Sequence, residues 1–290
     1  MTTQRVLSEP SYRTLYEART SAAPAAGVPV TEDDAGIRAA AEAAAALITS
    51  ENAEAFSGSS PRVIIGISGS VSSGKTTFSD QILSVLSAMY PDLKADIVST
   101  DNFIYPTAVL TQRNIMSQKG FPVSYDYPVI LRFLRDFREG RNNIPYPFYS
   151  HELYDITDTP KILTDCNILI LEGINVLSDS HAYGSEGVDA HIRDFLDASL
   201  FLNASATDLF NWFRKRFMKH LDDARKAPEK SYYAGMLNMT DTEIDSIINH
   251  CWYDINYRNY ELYIGPSAVH ADIVVDKDAD HRVTAVRLKI

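Results

Sequence analysis

The sequence predicts an α/β fold: a parallel sheet with helices on both of its faces. Three observations carry that prediction. Short apolar runs rich in β-branched residues recur at 62–68, 96–99, 167–172, 198–203, 272–275 and 282–290. Several are apolar throughout rather than alternating, which is the pattern of strands buried on both faces. Between them lie longer segments with helical periodicity, and strands alternating with helices imply βαβ units.

Each element has its own local reason. Residues 1–30 are polar and mixed, with an Ala/Pro/Gly patch at 22–29, and read as a loosely ordered arm. Thr31 followed by Glu32, Asp33 and Asp34 is an N-cap with acids in the first turn, so a helix is expected from there to about Asn52. Its most apolar part, 39–48, is Ala-rich and contains Glu42. Residues 57–61 (Ser-Gly-Ser-Ser-Pro) read as a linker, which places a domain boundary at about 60 and a second, larger domain over 61–290. Helices are further expected from Lys75 to Met89, with Phe78, Ile82, Val85, Leu86 and Met89 on one face, and over 129–138, 207–223 and 240–263. Residues 102–127 are loop-rich and full of aromatics. No internal repeat or heptad array is visible.

Bulk composition excludes some partners. The 290 residues are 45% hydrophobic and 22% charged, ordinary for a globular chain, with a formal net charge of −11. An acidic protein is repelled by nucleic acid and by anionic membranes, so an anionic ligand must be held by a local cluster of donors. No apolar run reaches the ~18 residues a membrane span needs. Cys166 and Cys251 are far apart and show no zinc-site spacing, as expected of reduced thiols in a cytoplasmic protein. The N-terminus has no signal-peptide pattern.

The chemistry starts at Gly69-Ser70-Val71-Ser72-Ser73-Gly74-Lys75-Thr76, which fits the P-loop pattern and lies between an expected strand and an expected helix. The glycines let backbone N–H groups wrap a phosphate, and the helix N-terminus points its positive dipole end at it. Lys75 should reach the β- and γ-phosphates of ATP, with Thr77 one residue further along the cradle. The Thr76 hydroxyl should sit on Mg2+. The fold is thus of P-loop NTPase type. Asp101 closes the next strand, and strand carboxyl ends face the ligand crevice in such sheets. A carboxylate there can take the proton of an attacking hydroxyl; a capping Asp is the alternative. Glu172 ends the strand 168–172, where a second contact to Mg2+ is expected. In the basic stretch 211–220, Arg216 is the candidate for stabilising transferred charge, with a solvated helix face as the alternative for Lys215 and Lys219. His151 lies in an aromatic loop, where a structural hydrogen bond is the competing role.

These pieces together resemble type I, bacterial P-loop pantothenate kinase. Gly69-Ser-Val-x-x-Gly-Lys, Thr100-Asp101-x-Phe103, Lys119-Gly-Phe-Pro-x-Ser-Tyr-Asp126, Tyr149-Ser-His151-x-x-Tyr154-Asp155, Ile168-Leu-Ile-Leu-Glu172-Gly-x-Asn-Val-Leu177, Trp212-x-x-x-Arg216-Phe217 and Ile255-Asn256 occur in the family's order. The resemblance covers roughly residues 61–290. It implies ATP- and Mg-dependent phosphorylation of a primary hydroxyl, with Lys75 and Thr76 on ATP and Asp101 as base or hydroxyl orienter. Arg216 would neutralise phosphate charge. Tyr149, His151, Tyr154 and Asn256 would line the acceptor pocket, with Phe213 beside them, and His281 would fall near the adenine. It also implies a homodimer packed through the long helix after the P-loop.

The departures cluster. Asn102 replaces the Gly that follows the family's Thr-Asp, and Phe213 replaces a Tyr whose hydroxyl contacts the substrate. His220 and Arg225 stand where aromatics are expected and make the wall more polar. The family's Pro-Thr-Arg is absent, with Gly265-Pro266-Ser267 in its place, and the N-terminal region is shortened. Two enzyme readings follow: a pantothenate kinase, or a related kinase acting on a sugar, nucleoside or biosynthetic intermediate. A non-catalytic nucleotide-binding regulator is the reading from another class. No Asn-Lys-x-Asp guanine signature is present, and Asp101, Glu172 and Arg216 are all kept.

Overall fold

The computed structural model describes residues 12–17, 32–58, 60–184 and 190–289, with 12–17, 32–35 and 230 described by backbone alone. Its strands are β1 (Tyr12–Glu17), β2 (Val63–Gly69), β3 (Ala95–Ser99), β4 (Ile144–Tyr146), β5 (Tyr149–Ser150), β6 (Asp155–Ile156), β7 (Lys161–Leu163), β8 (Ile168–Glu172), β9 (Ala198–Asn203), β10 (Ile273–Lys277) and β11 (Val283–Lys289). Seven of them form one sheet in the order β1-β11-β10-β9-β2-β8-β3, and β4–β7 and β5–β6 are separate two-stranded pairs. Strands β10, β9, β2, β8 and β3 run parallel, while β11 and β1 close the edge antiparallel.

The apolar runs are central strands because both faces are covered. Every residue of β2 and of β8 is buried. Alternate side chains point to opposite faces. Ile64, Leu169, Leu171, Phe201 and Val274 pack with Ile130, Leu134 and Phe137 of α4 (Tyr127–Arg138), where α3 is the short helix Thr107–Gln112 before it. Ile65, Ile67, Ile168, Ile170 and Leu200 pack on the other face with α1 (Glu32–Glu51) and α2 (Lys75–Met89). Ala40, Ala41, Ala44 and Ala45 are fully buried, so α1 lies close against that core. The helices α5 (Ala206–Lys226) and α6 (Asp241–His250) follow, with the short α7 (Tyr257–Asn259) and α8 (Gly265–Ser267) after them.

The structure departs from expectation at several elements. Tyr12–Glu17, inside the expected arm, pairs with β11 as an edge strand. Thr31 and most of the rest of the arm lie outside the described residues. Met89 is 43% exposed while Phe78, Ile82, Val85 and Leu86 are buried, because the helix runs past the sheet at its last turn. Helix α4 begins two residues earlier than its apolar periodicity, capped by Asp126, whose carboxylate accepts the Val129 N–H at 3.3 Å. The expected helix 240–263 opens on the reciprocal Thr240/Glu243 cap. It then passes through π-helical stretches at Cys251–Asn256 and Tyr260–Ile264, a form that concentrates at functional sites.

Register gathers the candidate residues at one edge of the sheet. Glu172 lies opposite both Ile67 and Ser99. The phosphate loop therefore leaves β2 at the level where Thr100 and Asp101 leave β3. Asp276 lies opposite Asn203, so Lys277 emerges at the same carboxyl edge from β10.

Candidate active site

The phosphate loop is built on positive backbone angles. Gly69 has φ +149°, Ser72 +62° and Gly74 +85°. A Cβ on Gly69 would stand 2.8 Å from the Leu202 carbonyl oxygen, so the loop's close approach to β9 requires glycine there. Lys75 Nζ donates to the Ser70 carbonyl at 2.9 Å, folded across its own loop. The hydroxyls of Ser70, Ser72 and Ser73 are buried without a hydrogen-bond partner among the described residues. Buried hydroxyls with unused donors are what a phosphate would satisfy. Val71 lies half-buried in the loop, and Thr76 and Thr77 are exposed on the first turn of α2.

Beside the loop stands a small charge cluster. Glu172 is 8% exposed. Burial raises its pKa, opposed chiefly by Lys75, with Asp101 pushing it further up. Burial lowers the Lys75 pKa, opposed by Glu172 and Asp101, while Arg216 adds to the lowering. Asp101, Glu172, Lys75 and Arg216 are thus electrostatic neighbours drawn from the turn after β3, from β8, from α2 and from α5. The Tyr125 hydroxyl donates to Asp101 Oδ1 at 3.4 Å, and its ring packs edge-on against Tyr183. Tyr125 is 2% exposed, and burial with the Asp101 charge raises its pKa well above the ordinary tyrosine value. It therefore stays a neutral donor.

In front of Asp101 is an aromatic cradle. Tyr149 contacts His151 at 5.2 Å and Tyr154 at 6.2 Å between ring centres, both edge-on, and Tyr154 stacks on Tyr232 at 4.8 Å. The Lys119 ammonium lies 3.9 Å over Tyr154 and 5.2 Å over Tyr149 and donates to the Tyr154 carbonyl. Asn102 does not stand in the wall. Its side-chain oxygen accepts the Tyr149 N–H at 2.9 Å and fixes β5 to the turn that carries Asp101. Asn256 donates its amide N–H to the Cys251 carbonyl at 2.7 Å within the π-helical stretch, which leaves its oxygen for a ligand. Phe213 packs against Trp252 at 5.6 Å and Phe217 at 6.3 Å, bridging two apolar clusters.

The polar wall is half as expected. His220 stacks on Tyr233 at 5.1 Å and lines a chamber of about 320 Å³ with His151, Asp223 and Ser231. Arg225 does not: it is exposed and paired with Asp222, one helical face away. On the donor side, His281, at φ +64°, stacks on Trp212 at 3.7 Å, and Trp212 Nε1 donates to the Ala279 carbonyl at 2.8 Å.

The sequence pattern of the Phosphoribulokinase / Uridine kinase family matches residues 64–219. A pantothenate kinase of Vibrio cholerae serotype O1 is 36% identical over 231 residues, covering 80% of this chain and 74% of that protein. One of Histophilus somni is 38% identical over 238 residues, covering 81% and 74%. The chain belongs to the pantothenate kinase family. It is an ATP-dependent phosphotransferase with an alcohol acceptor. Among solved structures, the YGR205w protein superposes with a TM-score of 0.58 at 18% identity, covering 86% of this chain and 99% of that one. The protein YFH7 of Saccharomyces cerevisiae gives 0.56 at 13%, covering 82% and 98%. Both share the fold.

Three residues of this pantothenate kinase relative were not singled out by sequence reasoning. Tyr125 sits inside a quoted motif, but nothing in its spacing says that it reaches Asp101. Lys119 also lies in a motif, where a lysine reads as solvated. Lys277 ends an apolar strand at the ligand edge, and that position was the signal available for it.

Proposed function

We propose that this kinase transfers the γ-phosphoryl group of ATP to the primary hydroxyl of pantothenate, giving 4'-phosphopantothenate and ADP, the first step of coenzyme A synthesis. The observation that carries the proposal is the placement of Asp101. It lies between the Lys75 cluster and the Tyr149–His151–Tyr154 cradle, in a chain 36–38% identical to pantothenate kinases over about four-fifths of its length. The Asp101 carboxylate accepts the proton of the acceptor hydroxyl as that oxygen bonds to phosphorus. The bond from phosphorus to the β–γ bridging oxygen breaks, and its electrons leave with ADP. Lys75 and Arg216 offset charge on the transferring group. Tyr125 holds Asp101 by its hydroxyl. Gly69 to Thr77 cradle the phosphates and His281 faces the adenine. Tyr149, His151, Tyr154, Phe213 and Asn256 shape the acceptor side.

Magnesium fits the donors present. The Thr76 hydroxyl and the Glu172 carboxylate are hard oxygen ligands. Among the described residues no three His, Cys, Asp or Glu side chains gather as a metal cluster. Mg2+ in such sites is held by one or two protein oxygens and the substrate's phosphates. When bound it would offset charge on the β- and γ-oxygens. We place the enzyme in the cytoplasm as a homodimer packed through α2. Support for both is family kinship. Among the described residues no helix is long and apolar enough to cross a membrane.

A second reading rests on His220 and its chamber, where the Asp223 carboxylate repels the carboxylate tail of pantothenate and favours an acceptor with a neutral or cationic tail. The test is ADP release with pantothenate against a panel of nucleosides, sugars and hydroxylated intermediates. Stimulation by pantothenate alone supports the first reading. Stimulation only by another alcohol supports the second.

A further inference from the structure

Lys277 is the last residue of β10 and is 8% exposed. Its Nζ donates to the Ser73 carbonyl of the phosphate loop at 2.9 Å. It lies 3.5 Å from His281 Nδ1 and 5.6 Å from the centre of the Trp212 ring. It also sits directly against the loop's last glycine, since a Cβ on Gly74 would come within 2.7 Å of Nζ. One ammonium thus touches two parts of the donor site that are about 200 residues apart in sequence.

We propose that Lys277 is a positioning residue for the nucleotide: it ties the phosphate loop to the Trp212–His281 base platform and sets the distance between them. The tether has a physical logic. A triphosphate in the loop and an adenine on His281 belong to one ligand, so the two subsites act together only if their spacing is fixed. Neither is fixed by local sequence. The platform hangs on the β10–β11 turn, where His281 itself has a positive φ, and the loop turns on two glycines. A buried ammonium is costly to keep without a partner. Asp278 offsets that cost only in part. Phosphate anions arriving in the adjacent loop would offset it further, so the free enzyme holds charge that the nucleotide complements. The Trp212 indole adds a hydrogen bond to Ala279 that holds the turn from its other side.

The test reads nucleotide binding, which is independent of the acceptor's identity. Calorimetric affinities for MgATP and for inorganic tripolyphosphate are measured on wild type, K277M, H281A and the double variant. The expected result is a loss of about tenfold or more for MgATP in K277M, with a smaller loss for tripolyphosphate, which does not use the platform. In the H281A background the K277M loss should shrink, since the tether then has nothing to position. MgATP affinity in K277M within about twofold of wild type would overturn the proposal, as would equal losses for both ligands or additive losses in the double variant. Folding of each variant is checked by its unliganded melt, and K277Q carries the same test should K277M not fold.

Discussion

Replacing Gly173 by Ala should damage both folding and turnover, and the geometry says how. Gly173 follows Glu172 at the end of β8. A Cβ there would lie 1.8 Å from Thr100 Oγ1, 2.9 Å from Thr100 Cβ and 3.2 Å from Thr100 Cγ2, against 3.4 Å or more for ordinary contact. Relief requires a movement of about 1.5 Å, and close-packed interiors do not absorb that without strain. Thr100 is 2% exposed, and Asn102 and Phe103 after it are also buried, so the segment has no outward escape. The overpacking should cost about 1–3 kcal/mol of stability, and displacing Asp101 by about 1 Å should cost on the order of 100-fold in turnover. Chemical denaturation and ADP release at saturating ATP measure the two effects. The rescue is specific. Thr100→Ala removes the atoms at 1.8 and 3.2 Å and leaves only the contact at 2.9 Å. It also loses no hydrogen bond, because Thr100 Oγ1 has no partner among the described residues. The pair G173A/T100A should therefore recover most of both losses. A G173A enzyme with wild-type stability and turnover, or a double variant no better than the single, would refute the packing argument.

Asp101→Asn should lower turnover by about 100-fold or more while MgATP affinity stays within about twofold, since it removes the base and not the cradle; wild-type turnover would take Asp101 out of the mechanism. Asn102→Gly would leave the buried Tyr149 N–H without its acceptor, at a cost of about 1–3 kcal/mol, read by denaturation, and should raise the KM for the acceptor more than that for ATP. Lys277 gives a pH signature. Burial lowers its pKa from 10.5 to about 8, so between those values the unfolded chain holds the proton that the folded chain has released. Stability from this group therefore rises with pH across that window, by about 3 kcal/mol at most, and the full penalty applies below pH 8. Unliganded K277M should accordingly be more stable relative to wild type at pH 8 than at pH 10, and a difference that does not change with pH would count against the burial argument. Taking the difference cancels the buried tyrosines, which lose stability in alkali in both proteins.

The donor end was legible because its signals are local. Residues 69–76 are contiguous, and the strand before them and helix after them each announce themselves by period. Asp101 and Glu172 could be placed at the carboxyl edge of the sheet from sequence because a residue at or just past the end of a buried parallel strand has few other places to be. The acceptor end is different in kind. Strands β4 to β7 have two or three residues each, too few for any period to show. The Tyr154–Tyr232 and His220–Tyr233 stacks join residues from separate segments that touch only in the folded chain. Met89 failed for the opposite reason: helical spacing gives a face, but at the last turn of α2 that face is no longer covered. Arg225 was expected in the wall only from the family resemblance, and in the folded chain it pairs with Asp222 on the exposed side of α5. Lys277 lies two residues past the strand expected at 272–275, and its tether to the phosphate loop is visible only in three dimensions.

One departure from the family at the acceptor wall, His220, also touches a residue kept from the phosphate side. His220 Nε2 stands 3.4 Å from Arg216 Nε, and only a neutral imidazole can accept from a guanidinium. Burial lowers the His220 pKa, the charges of Arg216, His151 and Lys219 lower it further, and Asp223 opposes them. The neutral, accepting form is therefore favoured near neutral pH. An aromatic hydrocarbon at this position would leave the Arg216 Nε–H to water. With histidine, the side chain that lines the chamber beside His151 also holds Arg216, the cation proposed to offset the transferring charge. On the proposed mechanism the two roles meet in one side chain, so His220→Phe should change turnover as well as the KM for the acceptor, and an unchanged turnover would separate them.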